Sequence, residues 1–556
     1  MKNMRNDVKN DLDTNLFVLS LSSFGQKIKI VRKSNCLTKQ KLVVKEGERG
    51  VGHFLSSGYI YNQDGYLHCA DFSEIHFSRQ TILDYDGMYL FIQTNMIGSQ
   101  YSIDFFTDPF GLEKLYMYQI NNDIYLSNDI NYLSEILKGE LLYSIDADAL
   151  KDWLLMGYCF NNDTPIKNVK TVQPGSFYSF FDKKMTIEAI YSIEEKYVAL
   201  NMANKSKNNK LLYEEYDSLL KNNISNYLCS NSNKVGAYLS SGLDSRTNAY
   251  VLNSLGADFM GVTYDCAEVE DNIASLEYGA IIKNIIVNCF ISDNVDDAVK
   301  HLNMAAEIHG YSQPSNHFQF FAHNKFLSQN INSIFDGASG DVFMGTMYEP
   351  YKYTNLRFFY DKFISTGTLS SFLNNKEKFF DVLNSYDTPG NYQKIFLFNV
   401  LNRQRNWVLP GLRSLYTFSE PFATPYNKKN IEFCFKLNGS QLSDRSFHRS
   451  FLRSQTSQFS NISSPNFGSG LDGSKLKVFL KKVFNKLGYK NKFLDTGGQY
   501  TYSNREDQYI YKIENLINQT TYEYVSDLYK VSVNNLKGLP LSKKAYLLNL
   551  QYNLEL

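Results

Sequence analysis

The chain has 556 residues, 43% of them hydrophobic and 15% aromatic, enough to build more than one buried core. Its 57 basic and 57 acidic residues cancel, so no global charge draws it to nucleic acid or to an anionic membrane surface. Seven scattered cysteines without a Cys-x-x-Cys pair, and no apolar run of membrane-spanning or signal-peptide type, lead us to expect reduced thiols, no structural zinc and a cytoplasmic setting.

Residues 14–190 read as short strands separated by turns. Leu16–Leu21, Met88–Ile92, Tyr101–Phe106 and Ile124–Leu126 are the clearest, and helical periodicity is confined to pieces such as Ala147–Met156. This pattern predicts a β-rich layered domain over residues 1–200. Three stretches within it are distinctive: Thr107-Asp108-Pro109-Phe110-Gly111-Leu112-Glu113-Lys114-Leu115-Tyr116-Met117-Tyr118, Ser127-Asn128-Asp129 and Gln173-Pro174-Gly175. Residues 201–210 are polar and read as a linker.

From residue 211 to 556 helical patterns alternate with apolar strand candidates at Val235–Leu239, Phe259–Tyr264, Asn284–Val287 and Ser333–Phe335. Such alternation predicts a doubly wound parallel sheet with its ligand site at the C-terminal ends of the strands. The first of these strands runs into Ser240-Ser241-Gly242-Leu243-Asp244-Ser245, where Ser245 could cap a helix stopped by Gly256. A strand, a Ser/Gly turn and a helix start aim donors at one point, where phosphate binds. Asp244 in that cradle suits an anion only through an intervening Mg²⁺. Turn chemistry alone is equally consistent with an ordinary strand-to-helix turn. The fourth strand runs into Asp336-Gly337-Ala338-Ser339-Gly340-Asp341-Val342-Phe343-Met344-Gly345, a second loop rich in Gly, Ser and Asp.

Together these stretches resemble the asparagine synthetase family. The first loop is similar to its Ser-Gly-Gly-Leu-Asp-Ser pyrophosphate loop, with Ser241 for the first Gly, and the second to its Ser-Gly-Glu-Gly-x-Asp-Glu-Leu-Phe-Gly-Gly loop. The resemblance covers about residues 80–470. It implies an Ntn-hydrolase-like β-rich front domain and an ATP pyrophosphatase (adenine nucleotide α-hydrolase-like) domain with a helical C-terminal extension. It further implies ATP bound by Leu239, Ser240, Ser241, Gly242, Asp244, Ser245, Val262 and Gly337. Mg²⁺ would be held by Asp244 and Asp341, and Arg413 would act with both aspartates in catalysis. A carboxylate, aspartate or a related acid, would attack the α-phosphorus of ATP, and an amine would then form the amide. A β-lactam or macrolactam synthetase-like cyclase, and a binding role without catalysis, are alternatives within the same resemblance.

Several positions depart from the family pattern. Its glutamine hydrolysis uses an N-terminal cysteine whose own amine is the base; residue 2 here is Lys and the first cysteine is Cys36. Asn62-Gln63-Asp64-Gly65 is the nearest approach to its glutamine-holding Asn-Gly-Glu. The front domain is therefore expected to be glutaminase-silent. Ala338 replaces a Glu, and Ser463–Gly468 lacks the family's catalytic Lys. Around Arg403-Gln404-Arg405-Asn406-Trp407 and Glu420–Phe433 the family's Arg is lost and Asn427 replaces Asp. Arg403, Arg405 and Arg413 read either as charge-neutralising groups or as a solvated helix face. His309, His317 and His323 match no metal spacing and read as packed or substrate-side groups. The lysine-rich amphipathic stretch 475–487 reads as a helix packed on the second domain rather than a membrane-surface helix.

Overall fold

A computed structural model describes residues 16–22, 27–33, 42–46, 53–68, 78–202, 208–229, 235–265, 277–282, 286–290, 295–311, 331–337, 340–345, 356, 360, 373–416, 419–462, 471, 516–539 and 541–554. Expectations for Ala338, Ser463–Gly468, His317, His323 and the stretch 475–487 lie outside the described residues.

The front half holds strands β1 (Leu16–Ser22), β2 (Lys27–Lys33), β3 (Leu42–Glu46), β4 (His53–Asn62), β5 (Gly65–His68), β6 (Asp86–Ile97) and β7 (Gln100–Thr107), followed by β8 (Tyr116–Ile120), β9 (Asp123–Ser127), β10 (Val169–Thr171), β11 (Ser176–Phe181) and β12 (Lys184–Ala189). They form two antiparallel sheets, ordered β10-β8-β9-β1-β2 and β12-β11-β7-β6-β4-β3, with β5 paired to β4. Period-two alternation explains their stacking. Phe17, Leu19 and Leu21 of β1 join Leu90 and Ile92 of β6 and Ile103 and Phe105 of β7 in one core, which lies between the sheets. Leu16 and Val18 point the other way, into a core shared with helices α2 (Ile130–Gly139) and α3 (Ala147–Met156). A shorter helix, α1 (Arg79–Asp84), precedes β6. Helix α3 forms where expected because the Asp146 carboxylate caps the amides of Asp148 and Ala149, and left-handed Gly157 (φ 91°) ends it.

Helices α4 (Ile193–Met202) and α5 (Asn209–Cys229) take up both ends of the expected 201–210 linker, and α6 (Leu243–Ser254) follows β13 (Val235–Tyr238). With β14 (Phe259–Asp265), β15 (Ile286–Phe290), β16 (Ser333–Asp336) and β17 (Glu420–Ala423), β13 builds a parallel sheet ordered β15-β14-β13-β16-β17. The four strand candidates of the sequence are its first four strands. The fifth, β17, lies in a stretch that carried no strand expectation: Pro421 and the four-residue length hide it. The chain is thus a mixed α/β protein, with three sheets among the described residues. No helix of the described residues is long and apolar enough to cross a membrane.

The two halves share a core. Tyr59 and Tyr66 of the front sheet pack on Tyr227 of α5, at ring distances of 5.7 and 5.2 Å, and Tyr227 packs on Phe422 of β17 at 4.1 Å. Glu420 beneath them accepts hydrogen bonds from the hydroxyls of Tyr66 and Tyr227. Asn427, in place of the family's Asp, caps the helix Lys428–Phe435 and donates to Asp86 of the front half.

Candidate functional site

In a parallel sheet ordered β15-β14-β13-β16-β17, the chain leaves β13 toward one side and later returns on the other, so the crevice beside β13 and β16 is the topological switch point. Both Ser/Gly loops start at the C-terminal ends of these two neighbouring strands. The first is held shut by its own hydroxyls. Ser245 Oγ accepts from the Ser240 amide (3.1 Å) and donates to the Ser240 carbonyl (3.0 Å), while Ser240 Oγ accepts from the Gly242 amide (3.1 Å). Helix α6 starts at Leu243 with Gly242, not Ser245, as its N-cap. The capping expectation for Ser245 is corrected: its side chain turns back onto the loop and is saturated there. Behind the loop, Arg246 is fully buried and donates to the Ser241 carbonyl (2.9 Å), and Tyr278 donates to the Ser240 carbonyl (3.1 Å).

Asp244 projects between the loops. A Cβ on Gly337 would lie 2.8 Å from Asp244 Cβ, and one on Gly340 2.6 Å from Asp244 Oδ1. Glycine is required at both positions because the second loop rests directly on this carboxylate. Asp341 follows Gly340 in the first turn of the short helix Gly340–Phe343. Leu239, just past β13, and Val262 of β14 are buried, and the Leu239 amide donates to the Val262 carbonyl (2.7 Å). They form the floor under the loop.

Two groups that sequence reasoning missed complete the site. Arg445 Nη2 donates to Asp244 Oδ2 at 2.8 Å, and His448 Nδ1 lies 3.9 Å from Asp244 Oδ1. Asp444 and Arg445 are both left-handed (φ 53°), an uncommon pair for non-glycine residues. That turn places Arg445 ahead of the helix Ser446–Gln455. His448 is buried, and its pKa is pushed well below the usual value by burial, then by Arg445 and Arg246, so the ring is neutral. Its contacts assign the tautomer: Arg445 donates to Nδ1, and Nε2–H donates to Thr247 Oγ1 (2.7 Å), which donates to the Leu243 carbonyl (2.9 Å). A signal was present in Asp444-Arg445-Ser446-Phe447-His448, where charged residues lead into the first turn of an amphipathic helix that carries a histidine.

The arginines divide. Residues 399–408 form a π-helix, a rare geometry that turns Arg405 inward and brings the Arg403 guanidinium over the Trp407 ring (4.2 Å). Arg405 donates to Thr171 Oγ1 and the Val172 carbonyl, and Arg413 donates to the Asn128 carbonyl, all in the front half. Both are buried, so the solvated-face reading of these two is corrected. Arg413 lines a cavity between the halves, whereas Asp341 is among the charges that Arg403 feels. His309 is buried against Ser414 Oγ, as a packed histidine.

In the front half, Asp108 is wholly buried and accepts from the amides of Phe110, Leu112 and Glu113 at 2.8–3.0 Å. Burial still raises its pKa to about 6. The Asn62–Gly65 stretch is a hairpin turn closed by Asn62 and Asp64 on each other. Cys159 and Cys434 are buried free thiols whose pKa burial pushes upward, the opposite of an activated nucleophile.

The site's donor set fits a nucleotide with a hard cation. Two aspartates stand on adjoining glycine loops at a switch point, and glycine at 337 and 340 lets the second loop close on Asp244. Among the described residues no group of three or more His, Cys, Asp or Glu could hold a metal ion.

No family model matches the chain. Asparagine synthetase [glutamine-hydrolyzing] 1 of Bacillus subtilis (strain 168) is 24% identical over 191 residues, which is 34% of this chain and 28% of that protein. The match therefore spans less than a third of the curated relative. Two solved structures align with 50% of this chain at 8% identity. They are a glutamine phosphoribosylpyrophosphate amidotransferase from B. subtilis complexed with ADP and GMP (75% of that chain, TM-score 0.20) and the allosteric regulatory enzyme of purine biosynthesis (74%, TM-score 0.19). Scores this low carry no argument, and the sequence match supports a distant relation to asparagine synthetase.

Proposed function

We propose that the protein is an ATP-dependent amide-forming ligase of the asparagine synthetase type, which adenylates a carboxylate and passes it to an amine without hydrolysing glutamine itself. The observation that carries this reading is the seating of Asp244 against Gly337 and Gly340 at the switch point. In it, Ser240, Ser241, Gly242 and Ser245 shape the phosphate turn, and Gly337 lets the second loop approach it closely. Asp244 and Asp341 would hold Mg²⁺, which when bound neutralises charge on the phosphates. Arg445 balances Asp244 in the free protein and becomes available to phosphate oxygens once Asp244 is engaged. Arg403 feels Asp341 and is better placed than Arg413 to neutralise charge there. The residues' contribution is positioning and charge balance.

The Arg445–Asp244 pair also favours a second reading, a nucleotide-binding protein without turnover, because Arg445 takes the oxygen a metal would use. Pyrophosphate release from ATP, assayed with aspartate and then with peptide and other amino acids as carboxylate donors, separates the two. Carboxylate-dependent release supports the ligase. Saturable ATP binding with no release under any donor supports the binding protein.

A further inference from the structure

We propose that the cavity between the two halves binds a small oxyanion, a ligand headed by a carboxylate or phosphate group. The cavity shares no lining residue with the crevice around Asp244. Lys114 reaches it from the front half and Arg413 from the helix Pro410–Leu415, and they are only 6% and 5% exposed. Neither has an ion pair. Lys114 Nζ donates to the Arg405 carbonyl (2.9 Å) and to Asn406 Oδ1 (3.3 Å), leaving one of its three protons. Arg413 spends Nη2 on the Asn128 carbonyl (3.1 Å), while its buried Nε has no partner.

Behind them the guanidinium of Arg405, 7% exposed, bonds only neutral oxygens, and its Nε is unpartnered. Three cations are thus buried together with no salt bridge among the described residues, although the buried Asp108 charge acts on Lys114 and Arg405. Charges are rarely buried this way, because desolvation is costly unless a counter-charge offsets it. Asp163, which also lines the cavity, is already bound by Lys170 and Lys378. Asp108 is bound by three backbone amides. Burial, Arg405 and Arg413 push the Lys114 amine well below its usual value despite the opposing charge of Asp108, as expected where the anionic counter-charge is insufficient.

The cavity has about 50 Å³ that water can occupy, room for a few waters or one small oxyanion. Tyr116, Ile130, Pro165, Tyr311 and Pro410 make up much of the remaining wall, so an anion there would meet Lys114 and Arg413 with little screening. The Arg413 fork suits a planar or tetrahedral oxyanion.

The test uses the full chain. Its melting temperature is followed with sodium phosphate or sodium acetate against sodium chloride at equal ionic strength, and phosphate binding is measured directly by equilibrium dialysis. The expected result is a saturable rise with an oxyanion but not chloride, about 2 °C at a hundredfold excess over Kd. It should persist in Ser240→Ala, which alters the other loop, and disappear in Lys114→Met and Arg413→Met. Without oxyanion Lys114→Met should melt no lower than wild type, because it removes an unpaired buried charge. Should Arg413→Met fail to fold, Arg413→Lys keeps the charge and should weaken binding at least tenfold. Response to phosphate alone or acetate alone identifies the head group. No saturable response to either, or one lost in Ser240→Ala but kept in Lys114→Met, overturns the proposal.

Discussion

Replacing Asp244 by Asn separates a metal ligand from a structural ion pair. The change keeps size and shape and removes one charge. Its cost to stability follows from the Arg445 contact: a single 2.8 Å hydrogen bond between side chains about one-fifth exposed. A pair of that kind is worth about 1 kcal/mol, and the Asn oxygen can still accept from Arg445. The urea midpoint should therefore move little. Turnover is another matter, because a lost metal ligand should raise the barrier by about 4 kcal/mol, roughly a thousandfold in rate. The assay is Mg²⁺-dependent pyrophosphate release from ATP, run beside urea unfolding on the same preparations. Release within about tenfold of wild type, roughly 1.4 kcal/mol, refutes the metal-ligand reading. So would a fold lost in step with activity, which would make Asp244 structural.

Two further outcomes concern stability. Asp108 holds a proton in the folded chain up to about pH 6, whereas an unfolded carboxylate releases it near pH 4. Its stabilisation is thus complete at low pH and is lost as pH rises through about 6, on the order of 3 kcal/mol. Urea midpoints at about pH 4.5 and about pH 7.5 should fall more steeply in wild type than in Asp108→Asn, and equal slopes would refute the assignment. Lys378 bridges Asp152, fully buried, and Asp163. Lys378→Met should cost about 2 kcal/mol, below the range for a fully buried pair because Lys378 is one-third exposed. Adding Asp152→Asn should recover most of it, as urea unfolding of the double variant would show.

The strands around the site were legible because they are short apolar runs bounded by Gly, Ser and Asp, and the second half's first four strands carry that pattern. The two loops were legible through their resemblance to the asparagine synthetase loops and their order after two strands, since turn chemistry alone fits an ordinary strand-to-helix turn equally well. The rest of the site was not. Arg445 and His448 lie 201 residues or more from Asp244 in sequence, and what brings them there is a pair of left-handed residues that no periodicity announces. A solvated helix face was one of two readings for Arg405 and Arg413; the π turn of residues 399–408, which no sequence pattern announces, turns Arg405 inward, and Arg413 is buried on the helix that follows. Pro421 hid β17, since proline reads as a strand breaker except at a sheet edge, where β17 lies.

The front half supplies much of what the second half needs in order to hold its loops. β17 sits at the edge of the parallel sheet, and its partner on one side is β16, the strand that feeds the Gly337–Gly340 loop. Glu420, at the start of β17, is held by Tyr66 of the front sheet, and the Pro421 carbonyl accepts from Tyr59. A few residues on, Asp86 accepts from Asn427 and from the Lys428 amide, fixing the helix that follows. Each contact crosses between halves, and each anchors a segment one strand away from Asp244. The front half therefore has a packing role: without it β17 and the Lys428–Phe435 helix lose their polar partners, and Tyr227 and Phe422 lose the rings that cover them. The second half's sheet would then present its edge and its aromatic face to water, and the register of the Gly337–Gly340 loop against Asp244 would be the first geometry to loosen.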